Sequence, residues 1–138
     1  MPMQIIVDAW EALDVLSAYH DVLSSEDIGD AAGDFASSRI YDRTMDGRDV
    51  NDEFFAPYAK SSRKSGTPNL YDTGAMLGSL SYTSNGAAGA TIECASDIAK
   101  YHQEGTDKMP KREFMGLTDR DEIDLVDKVI RDPLKRAL

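Results

Sequence analysis

The stretch from Leu80 to Cys94 admits few folds. Leu80-Ser81-Tyr82-Thr83 alternates apolar and polar, as does Ala90-Thr91-Ile92-Glu93-Cys94. A side-chain period of two belongs to a strand with one face covered. Asn85-Gly86-Ala87-Ala88-Gly89 lies between the runs, and Asn and Gly accept the positive φ that a tight reversal needs. The pattern predicts an antiparallel β-hairpin. Before it, Asp72-Thr73-Gly74 opens a short helix through Leu80, with the Asp72 carboxylate placed to accept from the free N–H groups of the first turn. After it, Ser96 or Asp97 caps a helix over Ile98–Glu104, which Gly105 stops.

Met109-Pro110-Lys111-Arg112-Glu113-Phe114 follows. Pro110 fixes its own φ and disfavours helix at Met109, so the segment should run extended. Residues two apart then share a side. Phe114 is expected in the core under the final helix, with Arg112 partly buried beside it and its guanidinium on backbone carbonyls or a carboxylate of the same or a neighbouring subunit.

The flanking regions read mostly as helix. Met3-Gln4-Ile5-Ile6-Val7 is a candidate strand, and Asp8 and Glu11 have capping-box spacing. Ala9, Leu13, Leu16, His20 and Leu23 recur at three- and four-residue intervals, an apolar stripe with His20 at the core edge. A second helix starts at Ser24-Ser25-Glu26-Asp27 and runs to about Thr44, burying Ile28, Ala32, Phe35, Ala36 and Ile40. Gly29 and Gly33 leave room for another helix to approach. Thr118-Asp119-Arg120-Asp121 begins the last helix, with Ile123, Val126, Ile130 and Leu134 as its stripe and Pro133 kinking or ending it near Asp132. Between Asp46 and Asn69 the periodicity disappears. Phe54, Phe55 and Tyr58 stand there beside the basic Lys60, Arg63 and Lys64, as suits either a surface completed by a neighbouring subunit or a loop folded on its own domain. The expected order is β-α-α-loop-α-β-β-α-loop-α. That is one α+β domain of 138 residues, a small antiparallel sheet packed with N-terminal and C-terminal helices, with one long loop.

Composition narrows the chemistry. The formal charge is −10, and Asp8, Glu11, Asp14, Asp21, Glu26, Asp27, Asp30 and Asp34 all precede the first basic residue, Arg39. Such a first quarter is unsuited to binding nucleic acid, which needs Lys and Arg on phosphates. No apolar run approaches the roughly 20 residues of a membrane span, and the N-terminus lacks a basic-then-apolar leader pattern, which predicts a soluble, non-secreted protein. The single cysteine, Cys94, excludes an internal disulfide and reads as a small filler on the inner face of its strand.

His20 and His102 belong to no metal-ligand pattern, and no glycine-rich phosphate loop occurs. His102 lies at a helix end whose dipole favours a protonated imidazole, and its expected role is structural. Asp119, Asp121, Glu122 and Asp124 point several ways around one helix. Glu93 or Asp97 with Lys100 is the nearest approach to the metal site of a small nuclease. The residues therefore predict no enzyme, no cofactor and no metal.

Asp72, Thr73, Gly74, Leu77, Ser79, Ala99, Tyr101, His102, Gly105, Pro110, Arg112, Phe114, Gly116 and Leu117 together resemble, in order and spacing, the phage virion morphogenesis family of small tail-completion or neck proteins. A less specific likeness reaches back to Arg43, through a Gly- and Asp-containing turn and Phe55-Ala56-Pro57-Tyr58. The resemblance implies a structural protein of a tailed phage or prophage that completes the tail or joins it to the head connector. It implies a homohexameric ring whose partners are the head–tail connector and tail tube or terminator proteins, in the virion neck after assembly in the host cytoplasm. DNA would pass nearby without being specifically bound, and exposed acids such as Asp14, Asp21, Asp27 and Asp34 would face it. Asp72, Thr73, Gly74, Tyr101, His102, Gly105, Pro110, Arg112 and Phe114 would be structural. Phe54, Phe55, Tyr58, Lys60, Arg63 and Lys64 would meet another subunit. A tail terminator or minor head protein is the alternative within this class, and a metal-dependent nuclease the alternative outside it.

Overall fold

A computed structural model describes residues 3–4, 10–25, 27–60, 62, 64, 66–72 and 74–137, with the side chains of 10–12 excepted. The expected strand over Met3–Val7, the Asp8 cap and the start of the first stripe at Ala9 lie outside the described residues. The elements in chain order are α1 (Trp10–Leu23), α2 (Asp27–Met45), α3 (Ala75–Gly78), β1 (Leu80–Ser84), β2 (Ala90–Cys94), α4 (Asp97–Glu104), α5 (Asp119–Val126) and α6 (Asp132–Arg136). A single 3₁₀ turn, Gly86–Ala88, joins the strands, and a π-helical turn, Asp127–Arg131, joins α5 to α6. The architecture is a small α+β fold.

The hairpin forms as the alternation predicts. Leu80 pairs with Cys94 and Tyr82 with Ile92 in an antiparallel ladder, and the Asn85 N–H donates to the Gly89 carbonyl at 2.7 Å. Leu80, Ile92 and Cys94 lean on the core, while Ser81, Glu93 and Thr91 face out. The core itself is Ile40 from α2, Phe55 from the loop, Met76 and Leu77 from α3, Ala99 from α4 and Phe114 from the extended segment. Cys94 behaves as a filler, its thiol donating to the Met76 carbonyl at 3.3 Å.

Helix α2 lies across both strands. It buries Ala32, Phe35, Ala36 and Ile40 as its periodicity predicts, with Ile28 half-buried. The glycine pair serves the hairpin and not a second helix. A Cβ at Gly33 would run into the Tyr82 ring, and one at Gly29 would stand 2.6–2.7 Å from the carbonyls of Gly89 and Gly86. The missing side chains let α2 touch the hairpin backbone directly. Gly33→Ala should therefore lower stability by roughly 1–3 kcal/mol by overpacking, despite alanine's better helix propensity. The midpoint of urea unfolding measures it, and an unchanged or raised midpoint would mean that the hairpin gives way without cost.

Two helices differ from their predicted faces. On α1 the stripe Leu13, Leu16, His20 and Leu23 is exposed, and Ala18, Tyr19 and Val22 are the half-buried residues. The helix leans chiefly on α6, and only its opposite side does so. In the last helix Ile123 and Val126 are exposed, Ile130 and Leu134 are half-buried, and Asp121 and Val129 are the buried residues. A buried ion pair to Asp121 sets the rotation of α5, and the wide turn then changes the phase. That turn also answers the Pro133 expectation. The helix neither stops nor breaks at Asp132; the Asp132 N–H reaches back to the Asp127 carbonyl, and the chain stays helical to Arg136. A π-turn is one way a helix absorbs a missing proline N–H.

Candidate functional site

The residues singled out by the sequence converge where α4 ends. Gly105 terminates the helix with φ 72. A Cβ there would sit 3.0 Å from the Lys111 nitrogen and 3.2 Å from the Met109 carbonyl, so glycine serves both the turn and the returning strand of chain. The return is tight, with the Thr106 N–H donating to the Met109 carbonyl at 3.0 Å. From there the chain runs extended and alternates. Lys111 and Glu113 pair on the outside at 2.6 Å, while Arg112 and Phe114 turn inward and are 7% and 0% exposed.

Helix α4 holds this segment by its backbone. The Arg112 N–H donates to the His102 carbonyl at 2.7 Å. The Gln103 Oε1 accepts from the Phe114 and Met115 N–H groups at 3.1 and 3.0 Å. One side-chain amide thereby satisfies two loop donors that helix or sheet would otherwise pair. Phe114 accordingly clusters with Ile40, Phe55, Met76, Leu77 and Ala99. No residue of the last helix belongs to that buried cluster, which corrects the expectation that Phe114 lies beneath it.

Two arginines then tie the loops down. Arg112 donates through Nε to the Ala56 carbonyl at 2.9 Å and through Nη2 to the Pro57 carbonyl at 3.0 Å, with its guanidinium 5.7 Å from the Tyr58 ring centre. Arg43, on α2, donates through Nη2 to the carbonyls of Phe114 and Gly116 at 2.7 and 2.8 Å, and through Nη1 to Asp121 at 3.0 Å. Asp121 also accepts from the Thr118 N–H, completing a capping box at the start of α5. Burial lowers the Arg43 pKa, and the Asp121 charge and hydrogen bond oppose that effect. A guanidinium stays protonated under such opposing pulls. Arg112→Lys should cost roughly 1–3 kcal/mol, because an ammonium cannot address both carbonyls and the ring together. An unaltered melting temperature would mean that the two carbonyl bonds and the ring contact contribute nothing net.

His102 corrects a further expectation. Its pKa is lowered, first by burial and then by the positive charges of Arg112 and Lys64. Its Nδ1 is buried without a partner among the described residues. The imidazole is therefore neutral near pH 7, and the helix-end dipole does not outweigh the two cations. In the unfolded chain an ordinary imidazole titrates near 6.5, so the unfolded state takes up its proton first. Stability from His102 is complete above that pH, declines as pH falls toward the lower folded value, and levels below it. Replacing His102 by Gln should flatten the fall in stability between about pH 7 and pH 5. Parallel curves for the two proteins would show that His102 does not set the slope.

The remaining predicted residues distribute unevenly. Asp72 caps nothing among the described residues; it is exposed and pairs with Lys64 at 3.8 Å. Gly74 occupies the cap position before α3. Tyr101 and Pro110 are exposed. Thr73 and Arg63 lie outside the described residues. Phe55 is a core residue of its own chain, so the expectation that it meets another subunit does not fit this fold. The reason is local, since the Phe55 N–H bonds the Gly47 carbonyl and turns the ring inward. Phe54 points the other way, 61% exposed, with Arg48 stacked 4.2 Å from its ring centre. Tyr58 is half-buried beneath Arg112, and Lys60 and Lys64 are exposed. Lys64, Asp72, His102, Arg112 and Tyr58 thus share one neighbourhood. Asp14, Asp21, Asp27 and Asp34 are all exposed.

Of the nuclease candidates, Glu93, Asp97 and Lys100 line one open cleft of about 510 Å³ with Cys94, Ser96 and Gln103. Among the described residues no three His, Cys, Asp or Glu side chains gather in a way that could hold a metal ion. Asp121 and Asp124 are occupied by Arg43, Arg39 and Arg120. Among the described residues no helix is long and apolar enough to cross a membrane. Gln103 and Arg43 are the site residues that sequence reading did not single out. Compared with protein-family models, with curated proteins and with solved structures, the chain finds no match.

Proposed function

We propose that the chain is a structural virion protein of a tailed phage or prophage, which completes the tail or joins it to the head connector as part of a sixfold ring. The observation that supports this most is the use made of Arg112. Its guanidinium donates through Nε and Nη2 to the carbonyls of Ala56 and Pro57. The effect is mechanical. It fixes the loop that carries Phe54 against the body, and a rigid exposed aromatic ring bordered by Arg48 is what a subunit contact uses as an anchor. The ordered likeness of Asp72 through Leu117 to the virion morphogenesis family points the same way. The test is electron microscopy of particles assembled without the protein. Unjoined heads beside complete tails are expected, and intact infectious virions would overturn the reading.

A further inference from the structure

Helix α1 turns its most apolar stripe away from the other described elements. Leu13, Leu16 and Leu23 are 52%, 62% and 49% exposed, and the exposed His20 stands in line with them. Their separations of three, four and three residues are those of a coiled-coil seam. The residues bordering that seam, Ser17, Tyr19 and Ser24, carry no charge, while the exposed Asp14 and Asp21 lie farther round the helix. A helix of 14 residues is marginal in water without a packed face. Among the described residues this one packs its Ala18, Tyr19 and Val22 side, chiefly against α6.

We infer that the α1 stripe is the seam of a two-fold pair formed with α1 of a second copy of this chain. Electrostatics selects that occupant. Two chains of charge −10 repel, and a face on which they can meet must keep its acids out of the contact. The seam does so, since its borders are uncharged and its acids project away from it. A basic partner helix would find no counter-charges on those borders. An antiparallel pair sets Leu13 against Leu23 of the partner subunit and Leu16 against His20 of the partner subunit. Every layer then holds at least one leucine, and the helix dipoles oppose each other. A parallel pair would stack two imidazoles. A two-fold contact cannot close a sixfold ring, so this pairing belongs to the free chain and rests on nothing in the neck reading.

Light scattering of the full chain, in series between roughly 1 and 100 µM, tests it. The wild-type chain should pass from monomer to dimer. Leu16→Glu should remain monomeric with its circular dichroism unchanged, because Leu16 contributes little to its own fold. His20→Leu should complete the seam and tighten the dimer about tenfold or more. A wild-type chain that stays monomeric, or a dimer or larger assembly that survives Leu16→Glu, would overturn the inference. The virion assay above is unaffected by either result.

Discussion

Phe114→Ala should cost about 3–5 kcal/mol, a large share of the roughly 5–15 kcal/mol that holds a domain of this size. The ring is fully buried and central to the core cluster, touched by side chains from α2, α3, α4 and the loop. Its backbone is pinned as well, through Gln103 on the N–H side and Arg43 on the carbonyl side. The surroundings therefore cannot collapse into the space, and the cavity term adds to the lost transfer energy. Phe114→Leu should lose much less. Urea unfolding of the three proteins measures both. A loss below about 1 kcal/mol for the alanine variant would mean that the core repacks freely, against the pinning described.

Asp121→Ala should be comparably damaging, at about 3–5 kcal/mol. It leaves the buried Arg43 guanidinium without its counter-charge, removes a partner of Arg39 and dismantles the capping box. Thr118→Ala isolates the last contribution and should cost about 1 kcal/mol. Replacing the pair together, as Arg43→Met with Asp121→Leu, would often restore stability elsewhere. Here it should not, because the carbonyls of Phe114 and Gly116 would lose their donor. Chemical denaturation of the three variants decides it. If Asp121→Ala costs no more than Thr118→Ala, the ion pair contributes nothing net.

What could be read from the sequence was what depended on neighbours along the chain. The alternation about Asn85–Gly89, the Gly105 stop and the period of α2 each follow from local geometry, and each has the predicted form. The last helix failed because its rotation is set from outside, by an arginine 78 residues away. Asp121 looked like ordinary dipole-friendly surface charge; nothing in its neighbours revealed Arg43. Similarly, Gly29 and Gly33 announced a close approach but not the element approaching. The Asp72 cap failed because the turn before α3 puts Gly74 at the cap position and leaves the carboxylate with Lys64. Gln103 carried no signal at all, since an amide on an amphipathic helix reads as solvent-facing. The α1 stripe was legible as a stripe, and periodicity says nothing about whether the surface that covers it belongs to the same chain.

The arginine bonds bear on how long the folded state survives. Those of Arg43 close loops of 71 to 78 residues and those of Arg112 loops of 55 and 56. The hairpin and the α4 turn close over far shorter spans. Long closures carry the greater entropic penalty before any contact rewards them. These bonds should accordingly form after the rate-limiting step, once α2 and the last helix have already met. Interactions absent from a folding transition state leave the rate of folding almost untouched and govern the rate of escape from the native basin. The two guanidinium groups thus act less as guides to the fold than as latches that set its lifetime.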